Sequence, residues 1–202
     1  LMHEFGGRCC WDFAGCGPYV TIDMNPVNCA AGLDAAFISP HKFVGGPGTP
    51  GILVAKKTML TNRVPNQPGG GTVTFVDKRN HWYHGGDNPS TLDIAHREEG
   101  GTPGILQIIK AGLAFSIKHA VGDLQIEELE SKLAARAISS WETDERIILI
   151  GYNRKGYTLE HRMTSLSFNI RFGGCLLSAH FVISLLNDVY GIQARSGCSC
   201  TG

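Results

Sequence analysis

Three short apolar segments stand close together in the first 57 residues, and they constrain the fold more than any other feature of the chain. They are CCWDFAG, LDAAFIS and GILVAKK, and each is bounded by glycine, proline or asparagine. Short runs that are nearly continuous in apolar character are typical of strands in a sheet covered on both faces. The pattern therefore predicts an α/β fold that begins with a buried sheet.

A single lysine, Lys42, lies between the second and third segments, in the sequence SPHKFVGGPGTPGILV. A lysine in a buried segment is costly unless it is paired or loses its charge. A Schiff base with a carbonyl, such as that of pyridoxal phosphate, removes this cost. Asp12 ends the first segment 30 residues earlier and would partner the pyridine nitrogen. The plainer alternatives are a solvent-exposed lysine at a strand end and an aspartate that caps its own turn.

The composition excludes several classes of protein. Of the 202 residues, 43% are hydrophobic and 18% are charged, which is typical of a globular chain with a core. The formal net charge is zero, so no basic excess favours binding to nucleic acid or to a membrane surface. No apolar stretch approaches the roughly 20 residues that span a bilayer.

The cysteines and the N-terminus bear on the compartment. The chain has seven cysteines and no pair of CxxC motifs, which argues against a disulfide framework and against a zinc ribbon. We therefore expect reduced thiols and a cytoplasmic location. The chain opens with Leu-Met-His-Glu and reads as an internal start, so an organellar targeting segment ahead of it stays open.

The middle of the chain predicts loops followed by helices. Residues 58–103 are rich in glycine, proline, asparagine and histidine and predict a long loop region. Helical spacing predicts a helix over residues 104–121, and Asp123 would cap a second helix. The larger apolar residues of the first helix share one side: Ile105, Ile108, Ile109 and Leu113.

The last part of the chain predicts mixed elements. RIILIGY, TSLSFNIRF and IQAR read as strands, and residues 179–190 read as a helix that Gly191 ends. The order of elements predicts two domains. The first would span residues 1–103 and the second, a smaller α/β domain, residues 104–202.

Four segments together resemble the class V aminotransferases, in particular their cysteine desulfurase and selenocysteine lyase-like branch. The first is the aspartate followed by Ser-x-His-Lys and a Gly-Pro-x-x-x-Gly turn, and the others are REEGGTP, TSLSFNI and GIQARSGCSC. They occur in the family's order and cover nearly the whole chain. The resemblance implies part of the large domain of a fold type I pyridoxal phosphate enzyme, followed by its smaller C-terminal domain.

The resemblance assigns roles around the cofactor. Lys42 would form the Schiff base with pyridoxal phosphate and then move protons at the α carbon of an amino-acid substrate. Asp12 would pair with the pyridine nitrogen, and Ser39 and His41 would help to hold the phosphate. Gly101 and Thr102 would reach the phosphate of a partner subunit, because the family's cofactor sites lie at a homodimer interface.

The resemblance also assigns residues near the substrate. Arg195 would lie at the substrate end, and Cys200 takes the position of the desulfurase nucleophile that receives sulfur from cysteine as a persulfide. A neighbouring cation favours the nucleophilic thiolate of a cysteine. The plainer alternative is a tight glycine turn in which Cys198 and Cys200 are only small residues.

Three features depart from the family pattern. Gly15 stands where the family has a glutamine or histidine that contacts the cofactor. The resemblance also implies that the sequence begins after the family's N-terminal half and that Gly202 comes before the arginine that binds the substrate carboxylate. Three hypotheses follow: a cysteine desulfurase-like enzyme, another class V aminotransferase, epimerase or lyase, and a truncated module that only binds or dimerises.

Three further groups of residues receive interpretations of their own. The adjacent Cys9 and Cys10 would point to opposite faces of a strand and are predicted to be buried in the core. The segment GGGTV is either a nest of amides for an anion or a flexible loop. The histidines match no metal-site spacing with Asp87 and Asp93 and are predicted to be surface residues: His81, His84 and His96.

Overall fold

The computed structural model of the chain describes residues 2–27, 32–85, 90–151 and 163–197. The chain divides into two compact units, Leu1–Asp123 and Leu124–Gly202. Helices and strands occur in both units, in agreement with the predicted α/β class. The boundary predicted at residue 103 stays a prediction about the domains of a longer enzyme.

The three apolar segments of the first unit form one sheet, as predicted. Strand β1 (Cys10–Asp12) pairs in parallel with β2 (Ala35–Ile38), and β2 pairs antiparallel with β3 (Ile52–Ala55). Asp34, which precedes β2, accepts a hydrogen bond from the backbone N–H of Cys9 at 2.7 Å. This bond fixes the start of β1 beside the start of β2.

The predicted long loop over residues 58–103 is wrong, because this region contains a hairpin and a helix. The hairpin consists of β4 (Val73–Val76) and β5 (His81–Tyr83), which pair antiparallel. The Asp77 carboxylate closes the turn between them by accepting hydrogen bonds from the backbone N–H groups of Arg79 and Asn80, each at 2.7 Å. The turn is therefore set by a side-chain bond, which the local composition did not indicate.

Helix α1 (Thr91–Glu98) follows the hairpin and begins with a capping box. The Ser90 hydroxyl accepts from the Asp93 N–H at 3.1 Å, and the Asp93 carboxylate accepts from the Ser90 N–H at 3.0 Å. Near the end of the helix, the Arg97 guanidinium is buried and donates to the carbonyl of Leu60 at 3.0 Å. A cation thus joins α1 to a segment far away in the sequence.

Helix α2 (Ile105–Val121) was predicted correctly in extent but not in orientation. Its buried residues are Ala111 and Ala114, whereas the larger apolar residues of the predicted side are all exposed: Ile105, Ile108, Ile109 and Leu113. Ala114 belongs to the core cluster beneath the sheet. Small side chains let a helix backbone approach a sheet closely, so alanine, and not isoleucine, forms the contact.

The sheet is covered less than predicted. Its core lies on one face, where Phe13, Ala36 and Ile38 pack with Ala114. The side chains of β1 are exposed throughout, and Leu53 on β3 is 53% exposed. An apolar run indicates a strand, but it does not tell whether the chain itself supplies a layer on both faces.

The second unit combines helices with an antiparallel sheet. Its elements are α3 (Asp123–Trp141), β6 (Ile147–Leu149), β7 (Phe168–Phe172), β8 (Cys175–Leu176) and α4 (Ala179–Tyr190). Strand β7 is central and pairs antiparallel with both neighbours. The two strands predicted in RIILIGY and TSLSFNIRF and the helix predicted over residues 179–190 are confirmed.

Two details of the later predictions are wrong. The segment IQAR forms no strand, because the N–H of its first residue, Ile192, donates to the Leu186 carbonyl and helps to end α4. Gly191 ends that helix in a left-handed conformation, as predicted. Asp123 is the first residue of α3, not a cap before it.

The lengths and apolarity of the helices bear on whether any of them could span a membrane. Among the described residues, no single helix is long and apolar enough to cross a membrane. The consecutive helices α2 and α3 reach that length and apolarity only when they are counted together as a bent pair.

Candidate active site

Asp12 ends strand β1 with its side chain exposed. One carboxylate oxygen, Oδ1, accepts a hydrogen bond from the N–H of Ala14 at 2.7 Å. The aspartate therefore fixes its own turn, as one of the sequence interpretations held. Within the described residues the structure shows no further hydrogen bond or ion pair to this carboxylate, which leaves Oδ2 open to a ligand.

Lys42 lies in a single 3-10 turn, Pro40–Lys42, directly after β2. The turn is closed by the Lys42 N–H, which donates to the Ser39 carbonyl at 3.0 Å. Pro40 and Phe43 are buried, whereas His41 and Lys42 are exposed. Lys42 is therefore solvent-exposed, as the plainer interpretation of the sequence held, because the tight turn directs the apolar residues inward and the two basic ones outward.

The parallel pairing of β1 with β2 brings these residues to one edge of the sheet. Asp12 is in register with Phe37, and Ser39 follows β2 immediately. The carboxyl ends of parallel strands are where ligands bind in open α/β sheets. Asp12 and the segment Ser39–Lys42 therefore share the edge at which a site is expected.

A glycine shapes the chain after Lys42. A Cβ at Gly46 would fall 1.8 Å from the Pro40 carbonyl oxygen, so no side chain fits at this position. The Gly46 N–H donates to the Phe43 carbonyl at 2.9 Å. The chain thus folds back tightly against the turn that carries the lysine.

Gly101 and Thr102 lie on a second, exposed segment of the first unit. The Gly101 N–H donates to the Gly70 carbonyl at 2.8 Å, and a Cβ at Gly69 would lie 3.2 Å from the Gly100 Cα. The glycine-rich segment is therefore packed against its neighbour. No hydrogen bond among the described residues joins Gly101 or Thr102 to Asp12 or Lys42, and their role at the phosphate of a partner subunit stays a prediction.

Arg195 belongs to the second unit, in the wall of a cavity of about 900 Å³. Strands β6 and β7 and helices α3 and α4 also contribute to this wall. Next to it, the Ser196 hydroxyl lies 3.1 Å from His180 Nδ1. The predicted nucleophile Cys200 and its neighbour Cys198 lie outside the described residues.

The cysteines near Asp12 differ from one another. Cys9 is half-buried against the core, and its sulfur accepts a hydrogen bond from the Trp11 indole N–H at 3.2 Å. Cys10 is exposed, so the prediction that both are buried is wrong for this one. Burial raises the pKa of the Cys16 thiol, and the Asp12 carboxylate raises it further while the Lys118 ammonium lowers it.

The histidines of the hairpin region form a pair and not a larger cluster. The rings of His84 and His96 lie 5.3 Å apart between centroids. In the part of the chain that the structure describes, no group of three histidine, cysteine or acidic side chains is arranged to hold a metal ion. Asp87, which the sequence grouped with them, is outside those residues.

One cation near the site was missed in the sequence. Lys118 on α2 has a side chain that is only 12% exposed. Its ammonium donates to the carbonyls of Gly17 at 3.0 Å and Val20 at 2.6 Å, on the segment that follows Asp12. The only signal in the sequence is a lysine within the apolar run of a helix.

The comparisons with known proteins agree with this arrangement. The family model for class-V aminotransferases matches residues 1–202. The chain belongs to the class-V aminotransferase family. Named relatives include a probable cysteine desulfurase of Halalkalibacterium halodurans and a cysteine desulfurase of Shigella flexneri, each 28% identical over 200 residues. Each alignment covers 99% of this chain and 43% of the relative, so this family member spans less than half the length of those proteins.

Solved structures of cysteine desulfurases share the fold. The apo enzyme of Thermococcus onnurineus NA1 superposes with a TM-score of 0.71 at 22% identity, covering 96% of this chain and 43% of that one. The S-sulfonic acid form of CsdA from Escherichia coli gives a TM-score of 0.71 at 21% identity, covering 96% and 42%. The predicted fold and the resemblance to this family are confirmed.

Proposed function

We propose that this chain is the lysine-bearing part of a pyridoxal phosphate-dependent enzyme that acts on an amino acid. Within that class, we propose desulfuration of cysteine as the specific reaction, and we call this the finer assignment. The observation that carries the proposal is the parallel pairing of β1 with β2, which puts Asp12 and the segment Ser39–Lys42 at the same edge of the sheet. The names of the relatives support the finer assignment.

The residues present fit this cofactor by their chemistry. An open carboxylate oxygen on Asp12 suits a protonated ring nitrogen, and the Lys42 amine, exposed and without a hydrogen-bond partner among the described residues, suits an aldehyde. The half-buried Ser39 hydroxyl and the exposed His41 ring suit a phosphate. When bound, pyridoxal phosphate supplies an aldehyde that captures amines and a ring that withdraws electrons from a substrate carbanion.

The chain's own residues would then act as follows. The Ala14 N–H fixes the rotation of the Asp12 carboxylate, so Oδ2 would accept a hydrogen bond from the protonated ring nitrogen and favour the protonated form of the ring. Lys42 Nζ would bind the cofactor's carbonyl carbon and afterwards move a proton at the substrate α carbon. The short turn Pro40–Lys42 anchors this amine through the buried Pro40 and Phe43 on its two sides.

The contribution of Gly101 and Thr102 is a proposal about a homodimer. The Thr102 hydroxyl is exposed and would donate to the phosphate in the partner subunit. The Gly101 N–H already binds the Gly70 carbonyl, so a phosphate contact at this N–H would replace that bond. Gly101 therefore serves the site mainly through the backbone shape that its left-handed conformation gives to the segment.

The finer assignment concerns sulfur. Cys200 would attack the sulfur of the substrate cysteine as a thiolate, with Arg195 near the substrate. The carbon–sulfur bond of the substrate breaks, a sulfur–sulfur bond forms on Cys200, and a proton goes to the carbon that loses sulfur. The products are alanine and a persulfide, so atoms and electrons balance without a further reactant.

A visible absorption titration with pyridoxal phosphate tests the proposal on the purified chain and on Lys42→Ala. The matched control is Lys57→Ala, which lies just after β3 and hence at the opposite edge of the sheet. A cofactor band in the parent and in Lys57→Ala that is lost in Lys42→Ala supports the assignment. A parent without a band, or a band that survives in Lys42→Ala, contradicts it for this chain and favours a module without catalytic function.

The finer assignment needs a second experiment. The chain loaded with pyridoxal phosphate would be given cysteine, and persulfide would be mapped by mass spectrometry in the parent, in Cys200→Ser and in Cys198→Ser. Persulfide that disappears only in Cys200→Ser supports desulfuration. A loaded chain that turns over amino acids without persulfide favours another class V reaction, such as amino transfer or epimerisation.

A further inference from the structure

Lys118 is a cation held by three acceptor groups of the first unit. Its ammonium donates to the Gly17 carbonyl at 3.0 Å and to the Val20 carbonyl at 2.6 Å, and lies 3.2 Å from Asp123 Oδ1. Three acceptors thus meet the three donors of an ammonium group. A side chain this well satisfied and only 12% exposed resists displacement.

The partners of Lys118 lie on the two segments that carry the candidate site. Gly17 and Val20 follow Asp12 on the connection out of β1. On the other side, the ammonium stands 5.9 Å from the ring centroid of Phe43, the residue next to Lys42. One cation therefore touches both segments, although they are separate in the sequence.

Neighbouring contacts reinforce this bridge. The Phe43 ring packs on Phe115 of α2 with centroids 4.8 Å apart. A Cβ at Gly17 would already stand 3.4 Å from the same ring, so the two segments are in close approach. Asp123 also accepts a hydrogen bond from the Thr21 hydroxyl at 3.0 Å, which extends the network along the segment after Asp12.

The electrostatics of Cys16 place Lys118 and Asp12 in one neighbourhood. Burial is the main cause that raises the pKa of this thiol. The Asp12 carboxylate adds to the rise, and the Lys118 ammonium opposes it. A single group thus lies within range of both charges, which an anchor remote from the site would not produce.

We propose that Lys118 is a positioning residue of the cofactor site. Its ammonium holds the segment after Asp12 and the ring after Lys42 in one arrangement, so that the carboxylate and the amine keep a fixed separation. The residue touches neither cofactor nor substrate and acts through Gly17, Val20 and Phe43. This inference rests on the proposed function, because the separation matters only if one ligand binds both groups.

The test compares Lys118→Met with Lys132→Met in the full chain. Methionine keeps the unbranched stem and removes the ammonium, and Lys132 is an exposed lysine that binds only Glu128 in the described part of the chain. Amide hydrogen exchange would be followed over residues 13–22 and 39–46. Pyridoxal phosphate affinity and the visible circular dichroism of the bound cofactor would be measured on the same samples.

We expect exchange in Lys118→Met to become about tenfold faster in both segments, as loss of a charged hydrogen-bond group implies. Affinity for pyridoxal phosphate should fall by about tenfold or more, with an altered circular dichroism band from the fraction that binds. Lys132→Met should match the parent in every readout. A purely structural residue would change neither the dichroism of the bound cofactor nor its affinity while the chain stays folded.

Two results would overturn the inference. One is unchanged exchange over residues 39–46, because Lys118 would then not connect the two segments. The other is faster exchange with parental affinity and dichroism. If Lys118→Met does not fold, Lys118→Gln, which removes the charge but keeps an NH₂ donor group, is measured in the same way. A parent that binds no pyridoxal phosphate contradicts the proposed function, while the exchange data still decide whether Lys118 connects the segments.

Discussion

The two units hold their charged side chains in different ways. In the first unit the least exposed charges contact groups far away in the sequence: Asp34 binds Cys9 N–H and His3, Arg97 binds the Leu60 carbonyl, and Lys118 binds Gly17 and Val20. The ion pairs described in the second unit are local and exposed. They join Lys132 to Glu128 and Arg146 to Asp144.

The difference indicates what fixes each region. The first unit contains long connections between short strands, and buried charges anchor those connections to main-chain groups. The second unit relies on apolar packing, with Ile138 buried and Trp141 against Phe168 at 5.1 Å between centroids. Exposed ion pairs contribute little to stability, so the two ion pairs described in the second unit should stabilise it less than the buried charges stabilise the first.

The largest effect is expected from Ile138→Ala in the second unit. Removing this side chain, which is 2% exposed, should lower the free energy of unfolding by about 2–5 kcal/mol through lost burial and a cavity. Urea unfolding would be followed by Trp141 fluorescence after Trp11 and Trp82 are replaced by phenylalanine. The control on the same helix is Leu129→Ala, which is 58% exposed and should shift stability by less than about 0.5 kcal/mol. Equal effects of the two changes on the free energy of unfolding would contradict the conclusion that buried apolar packing stabilises the second unit.

The next effect concerns a buried charge of the first unit. Arg97→Met should lower the free energy of unfolding by about 1.5–3 kcal/mol, because it removes a charged donor and leaves the Leu60 carbonyl without this partner. Urea unfolding followed by Trp11 and Trp82 fluorescence measures this. Lys132→Met should leave the unfolding midpoint of the second unit unchanged. A larger shift from Lys132→Met than from Arg97→Met would reverse the comparison.

A smaller effect is expected in acid. The Cys9 N–H and the His3 ring hold the pKa of Asp34 below its usual range. The unfolded carboxyl takes up a proton near its ordinary pKa of about 3.9 and the folded one does not. The contribution of the Asp34 carboxylate to the free energy of unfolding is therefore full above that pH, and it is lost as the pH falls through the lower pKa of the folded state. Asp34→Asn should flatten the pH dependence of the unfolding midpoint in that window.

Asp144→Asn provides the matched variant for acid in the second unit. Hydrogen bonds from Arg146 lower the pKa of Asp144 to about 2, which gives the same sign of pH dependence. The pair is exposed, so added salt should suppress its contribution, whereas that of the buried Asp34 should persist. Equal sensitivity to salt would show that the two carboxylates are not held differently.

The smallest effect is a difference in thiol reactivity. Cys16 of the first unit is half-buried and its thiol pKa is raised by burial, whereas Cys175 of the second unit is exposed. Alkylation by iodoacetamide near neutral pH should be about tenfold faster at Cys175. Peptide mapping over time measures both rates in one sample. A faster reaction at Cys16 would mean that its surroundings are more open than the contacts indicate.

Local patterns predicted most elements but not their surroundings. The apolar segments predicted β1 to β3 because a strand is read from a few neighbouring residues. The buried side of α2 was not predictable in this way, because the residues buried there are the small Ala111 and Ala114, of which Ala114 packs in the core cluster with residues of the sheet. The hairpin was missed because its turn depends on one side chain, that of Asp77, in a segment whose composition resembles a loop.

The candidate site likewise contains some features that local sequence patterns predict and others that depend on the folded chain. Asp12 and Lys42 could be proposed as site residues from residue type and spacing, and the parallel pairing of β1 with β2 puts Asp12 and the turn that carries Lys42 at one edge of the sheet. The exposure of Lys42 was one of two alternatives that the sequence left open, and the single turn after β2 decides between them. Lys118 carries no pattern of its own, because its carbonyl partners lie 98 and 101 residues away and only the folded chain brings them together.

The tight return of the chain after Lys42 has a consequence for how this gene tolerates change. A saturation library at position 46 should yield glycine alone, since any Cβ would collide with the Pro40 carbonyl oxygen. Position 48 is different: its φ of +85° is unfavourable for side chains, but the space around it is open, so asparagine and aspartate should survive there. Two glycines separated by one residue would thus tolerate different sets of residues. Position 46 would accept only glycine because there is no room for a side chain, whereas position 48 would be limited only by its backbone conformation.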